Sequence, residues 1–225
     1  MINTIRHQEV FDSHLYQHLK LVVVGAGAIG SRVAENLIST GLENITFIDF
    51  DKVEDHNLGN QLYVQEDIGE YKVVALKRWA ESKIGLIPPS MCFVNGRIDE
   101  KNTSSLVSTN IIISCVDKFS ARKLLMTATQ DVWADLFVDT RMASGHGDVY
   151  LINPDQPEEV DYWNSTCGSD DDPAYEVSSC GSSLSVGVTA QTIAAVASWS
   201  VMNYLKTGFK EKHIRMDTAP WLVSR

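Results

Sequence analysis

Short aliphatic runs alternate with longer amphipathic stretches through the first half of the chain. Lys20–Val24 is an almost uninterrupted apolar, β-branched run, the pattern of a strand buried on both faces. Ala28–Ser39 follows with Ile29, Val33, Leu37 and Ile38 on one helical face, and Gly41 is placed to stop it. Asn44–Ile48 is the next strand, ending at Asp49, so residues 20–49 form a complete β-α-β unit. The same reading predicts strands at Met91–Val94, Asn110–Cys115, Leu136–Asp139 and Asp148–Ile152, and helices at Tyr71–Ile84, Phe119–Val132 and Val186–Leu205. Alternation of the two up to about residue 140 predicts an α/β fold with a Rossmann-like, doubly wound, mostly parallel sheet. The last two strands, joined through Gly145–Gly147, are expected to pair antiparallel at one end of it.

Beyond that point the periodicity fades. Residues 153–183 are rich in Asp, Ser, Pro and Gly and read as a surface loop. Residues 207–225 are polar with an isolated Trp221, and read equally as a docking tail, a packed terminus or a disordered one. Residues 184–205 carry no charge and match a membrane span in length. Ser, Thr, Gln and Asn recur through them, so a helix buried in the protein or in a dimer is the preferred reading, with no membrane contact. With 225 residues, 44% of them hydrophobic, the chain is expected to form a single domain with its core over 20–205.

A formal net charge of −10 argues against nucleic acid as a partner. The N-terminal residues show no apolar leader segment, and the four cysteines, Cys92, Cys115, Cys167 and Cys180, contain no CxxC pair. A reduced, cytoplasmic protein is the expectation.

Gly25, Gly27 and Gly30 fit G-x-G-x-x-G between the first strand and helix. The first permits a tight turn, the second a close approach of phosphate to backbone, and the third close helix–strand packing. The helix start adds unpaired N–H groups and positive dipole character. Asp49, 19 residues after Gly30, stands where a carboxylate can accept from ribose hydroxyls. This unit alone suits ATP and NAD equally.

Further blocks separate the two. Asp49-Phe50-Asp51-Lys52-Val53 leads to Asn57-Leu58-Gly59-Asn60-Gln61; Gly69-Glu70-Tyr71-Lys72 follows, and Ser114-Cys115-Val116-Asp117 comes later. In this order, and with the glycine turn, they resemble the ThiF/MoeB/HesA family of ubiquitin-activating-enzyme-like adenylyltransferases. The resemblance covers residues 4–205 and is strongest over 20–122. It implies ATP and Mg²⁺ as cofactors, and a small ubiquitin-like or sulfur-carrier protein or peptide whose C-terminal carboxylate is adenylated. It also implies a homodimer. Asp49 would hold the ribose; Asp51, Asn57, Asn60 and Gln61 would lie along the nucleotide; Lys72 would contact phosphate; Asp117 would hold magnesium or position the α-phosphate. Adenylation needs cations and backbone donors on both sides of the α-phosphorus, which this set supplies. Read alone, Lys72 is equally a solvated helix lysine and Asp117 equally a cap for the helix after it.

The chain departs from the family at Asn60, where an arginine contacting triphosphate is usual. Asparagine donates a hydrogen bond but carries no charge. Replacement cations are Arg6, which in the family would cross a dimer into the partner's site, and Arg141 at a strand end. The departure also opens a non-catalytic adaptor as an alternative; an NAD-linked oxidoreductase is the weaker one. The cysteine pairs that hold zinc in many relatives are missing, so zinc is not expected. Cys180 precedes the long uncharged helix, where some relatives form a thioester or persulfide; the alternative is a cysteine that packs at the helix start. Cys167 and Cys180 bracket the acidic loop as a conceivable redox couple, Cys92 and Cys115 read as core, and His146 reads as solvated.

Overall fold

The computed structural model describes residues 2–99, 106–143, 145–170, 186–218 and 221–224. The predicted β-α-β unit is present as β1 (Leu21–Val24), α1 (Ala28–Ser39) and β2 (Ile45–Asp49). It continues with α2 (Lys72–Ile84), β3 (Cys92–Asn95), β4 (Ile111–Ser114), α3 (Phe119–Asp131), β5 (Leu136–Met142) and β6 (His146–Ile152). Then come α4 (Pro157–Ser165), α5 (Gly187–Thr207), β7 (His213–Thr218) and β8 (Trp221–Ser224). One sheet holds all the strands in the order β3-β2-β1-β4-β5-β6-β7-β8. The pairings are parallel from β3 to β5 and antiparallel from β5 to β8.

Strand pleating distributes the core to both faces. In β1, Leu21 and Val23 pack toward α1, α2 and α5, while Val22 and Val24 pack toward α3 and α4. β4, β5 and β6 repeat the division: Ile113, Val138 and Leu151 on the first face, Ile112, Phe137 and Ile152 on the second. A strand with apolar residues on both faces is what a sheet covered by helices on both sides demands. Burying each such side chain contributes roughly 1.5–3 kcal/mol.

Two segments differ from the sequence reading. Residues 157–165, expected within a loop, form α4, which drives Trp163 to full burial against Phe137. Residues 213–218 and 221–224, at the polar C-terminus, extend the sheet by two antiparallel strands. Cys92, expected in the core, is exposed, because β3 is an edge strand. Among the described residues no helix is long and apolar enough to cross a membrane.

The strand order reverses between β1 and β4. Such a switch point opens a crevice at the carboxyl ends of parallel strands, where ligands of open α/β sheets bind.

Candidate functional site

The crevice is built around the glycine turn. Gly25 has φ +95°, and a Cβ there would lie 2.6 Å from the Cys115 carbonyl oxygen at the end of β4. A Cβ on Gly30 would stand 1.8 Å from the Gly25 carbonyl oxygen. Both glycines are required by packing. Among the described residues a Cβ on Gly27 would meet nothing within 4 Å, so no contact with them demands glycine there. Gly27 is the N-cap of α1 and no side chain caps that helix end. A bare helix start with its leading N–H groups beside an open glycine is suited to phosphate.

Asp49, at the end of β2, is tied to this turn. Its Oδ2 accepts from the Ala26 N–H at 2.6 Å and its Oδ1 from the Asp51 N–H at 2.7 Å. Each oxygen keeps a lone pair for a further donor. Burial raises its pKa above the ordinary carboxylate value, against the lowering pull of the Ala26 N–H and of Lys72. Lys72 opens α2: its N–H bonds the Asp51 carbonyl at 2.9 Å, and its Nζ reaches Asp51 Oδ2 at 3.1 Å. The side chain of Lys72 is 9% exposed and that of Asp51 50%, so the pair is open from the acidic side. Lys72 is therefore not a solvated helix lysine.

Asp117 follows β4 on the other flank of the turn, just past Cys115 and Val116, whose backbone meets Gly25. The N-cap of α3 is Lys118 rather than Asp117. Asp170 does the capping, accepting from the Ser120 N–H at 3.2 Å and its hydroxyl at 2.5 Å. These bonds, the hydroxyl's first, lower the pKa of Asp170. Asp170 thus caps the start of α3 from a distant segment.

The loop carrying the remaining candidates is laced to α1. Asn57 is buried; its Oδ1 accepts from the Glu54 N–H at 2.9 Å and its carbonyl from the Gln61 N–H at 2.9 Å. Asn60 lies at the start of α5, where a Cβ on Gly187 would come within 3.3 Å of its Cα. Gln61 is buried, and its side-chain oxygen has no hydrogen-bond partner among the described residues. Sequence reasoning missed Tyr63, whose buried hydroxyl donates to the Ala26 carbonyl at 2.7 Å and braces the turn from below. Nothing in the local sequence marks it, because the contact spans 37 positions.

The other predicted residues lie apart. Arg6 is exposed on an N-terminal turn. Arg141 is bound on the α4 side: its Nε donates to Asp139 at 2.8 Å, its Nη1 to the Thr166 carbonyl at 2.8 Å, and its Nη2 to Cys167 Sγ at 3.3 Å. Cys180 lies outside the described residues, as does its relation to Cys167. Burial raises the Cys167 thiol pKa, opposed by Arg141, and pushes the Cys115 thiol up to about 12. Among the described residues no group of three or more His, Cys, Asp and Glu side chains could hold a metal. A magnesium ion held mainly by phosphate oxygens and one carboxylate needs no such group.

A model of the ThiF family matches residues 9–219. The ubiquitin-like modifier-activating enzyme 5 of Xenopus laevis is 30% identical over 152 residues, covering 60% of this chain and 37% of that protein. The NEDD8-activating enzyme E1 catalytic subunit of Arabidopsis thaliana is 34% identical over 111 residues, 48% of this chain and 24% of that one. The chain thus spans well under half the length of these relatives. Escherichia coli MccB, solved with ATP, superposes with a TM-score of 0.72 at 16% identity, over 94% of this chain and 64% of that one.

Proposed function

The chain belongs to the ThiF family, and on that premise we propose that it binds Mg·ATP at the glycine turn and adenylates a carboxylate. The acceptor would be the C-terminal carboxylate of a small ubiquitin-like or sulfur-carrier protein or peptide. The observation that carries this reading is the coupling of Asp49 to the glycine turn, with Lys72 one ion pair away. Related chains bear names of activating enzymes for ubiquitin-like modifiers, and MccB has been solved with AMPCPP and MccA.

Asp49 would accept from the ribose hydroxyls through its remaining lone pairs. The N–H groups at the start of α1, next to Gly27, would bind the phosphates. Lys72 would leave Asp51 for a phosphate oxygen, and Asp117 would hold the magnesium ion from the opposite flank. Mg·ATP supplies the electrophilic phosphorus and the pyrophosphate leaving group. Asp51, Asn57 and Gln61 shape the loop that closes this side of the crevice, with Gln61 offering an unused acceptor.

Onward transfer through Cys180, a homodimer that lends Arg6 to the partner's site, and a cytoplasmic location complete the reading. Helix α5, without charge up to Leu205, presents Val188, Ala195 and Trp199 outward, apolar surface suited to a second copy. A nucleotide-binding adaptor without catalysis is the second reading, favoured by the neutral Asn60. ATP–pyrophosphate exchange with candidate carriers separates the two. Trapping of the acyl-AMP product tests the site: wild type yields product and Lys72→Ala does not. Equal product from both would remove Lys72 from the phosphate site. Binding that follows nicotinamide dinucleotides and ignores Mg²⁺ would replace the whole reading with an oxidoreductase.

A further inference from the structure

A triphosphate brings more negative charge than Lys72 alone can offset, and Lys72 already faces Asp51. Position 60 adds no cation. Arg141 is spent on Asp139, Thr166 and Cys167. One more guanidinium stands close by. Arg32, two residues after Gly30 in α1, donates from Nη2 to the carbonyl of Gln61, the neighbour of Asn60, at 3.2 Å.

We propose that Arg32 is the cation that receives the far end of the triphosphate, taking over from the loop position at Asn60. The inference rests on the nucleotide site proposed above and assigns this residue's part in it. The guanidinium of Arg32 is held between Glu35 of the same helix and the Gln61 carbonyl of the loop that carries Asn60. Among the described residues its buried Nε has no hydrogen-bond partner, a donor that a turn of the guanidinium would bring to a ligand. Its Nη1 pairs with Glu35 at 2.9 Å, with side-chain exposures of 22% and 35%. A half-open i,i+3 pair of this kind is weak and readily exchanged for phosphate. A groove of about 400 Å³ between α1 and α5, lined by Arg32, Glu35, Asn36, Gln191 and Ala195, gives the guanidinium room to turn. α5, one wall of this groove, begins against Gly59 and Asn60. A planar guanidinium anchored on a helix can present two parallel donors to one phosphate, which asparagine cannot.

A bland alternative is a structural clamp, with Arg32 serving only to pin the Gln61 carbonyl. Arg32→Gln separates the roles, because glutamine keeps a donor for that carbonyl and loses the charge. Affinities for Mg·ATP and AMP, measured by titration calorimetry, give the readout, with the melting temperature alongside. In Arg32→Gln we expect Mg·ATP affinity to fall by about 10- to 100-fold while AMP affinity and melting temperature hold. Adding Asn60→Arg to that variant should restore most of the loss. Equal ATP affinity in wild type and Arg32→Gln overturns the assignment and leaves the site standing. Parallel loss of AMP binding and melting temperature also overturns it, in favour of the clamp, as does failure of Asn60→Arg to rescue. No nucleotide binding by wild type removes the site itself, and this assignment with it.

Discussion

Two buried carboxylates on strands of the sheet, Asp49 at the end of β2 and Asp139 in the middle of β5, have opposite surroundings. Asp139 is fully buried and accepts from Arg122, from Arg141 Nε at 2.8 Å and from the Trp163 indole at 3.0 Å. Two guanidinium groups more than balance its charge inside the chain. Asp49 accepts from two backbone N–H groups and shares the influence of one lysine with Asp51. Its position is fixed while its charge stays under-compensated, and burial raises its pKa accordingly. The first arrangement closes on itself and holds α3, α4 and the sheet together. The second keeps acceptor capacity for something from outside. A buried charge satisfied by the chain belongs to the fold, and one merely held in place belongs to the site.

The largest effect should come from breaking the closed network. Asp139→Ala leaves Arg122 and Arg141 buried without their anion, a loss of about 3–5 kcal/mol that denaturant titration would register. A loss under about 1 kcal/mol would show that the network is solvated and the contrast false. Lys72→Ala should do the reverse: nucleotide affinity falls by about 100-fold, with stability changed by less than about 1 kcal/mol because Asp51 is half exposed. Unfolding of this variant would place Lys72 with the structural charges.

A smaller effect follows from the raised pKa of Asp49. A carboxylate whose folded pKa exceeds its unfolded value costs stability above the folded pKa, and the cost fades as pH falls through it. The melting temperature of wild type should therefore rise relative to Asp49→Asn as the buffer is acidified from neutral. The opposite trend would mean that Asp49 is as well compensated as a salt-bridged acid. The smallest effect concerns thiols. Cys115, pushed up to about 12, is thiolate to roughly one part in ten thousand at pH 8. Peptide mapping after alkylation should find Cys92 modified and Cys115 spared. Modification of Cys115 at a similar rate would mean that the end of β4 opens.

The β-α-β unit was readable because its signals are local: an apolar run, spaced glycines and an acid at the next strand end. α4 carried its own signals, Pro157 at the helix start with Glu158 and Glu159 behind it. Acidic, proline-rich neighbours hid them, and only Val160 and Trp163 turn inward. β7 alternates His213, Arg215 and Asp217 with Ile214 and Met216, a period-two pattern too short to stand out in a polar terminus. Lys72 and Asp117 entered the proposed site through motif order. Tyr63 and Arg32 did not, because the contacts that give them meaning join distant segments: Tyr63 to Ala26, and Arg32 to Gln61. The capping of α3 by Asp170 spans 50 positions and was equally invisible.

The most direct test is a crystal structure of the protein with magnesium and a non-hydrolysable ATP analogue. The account predicts phosphates against the backbone of Gly27 and Ala28, the ribose on Asp49, and Lys72 Nζ moved from Asp51 to a phosphate oxygen. An analogue bound away from the glycine turn, with Lys72 still on Asp51, would contradict it.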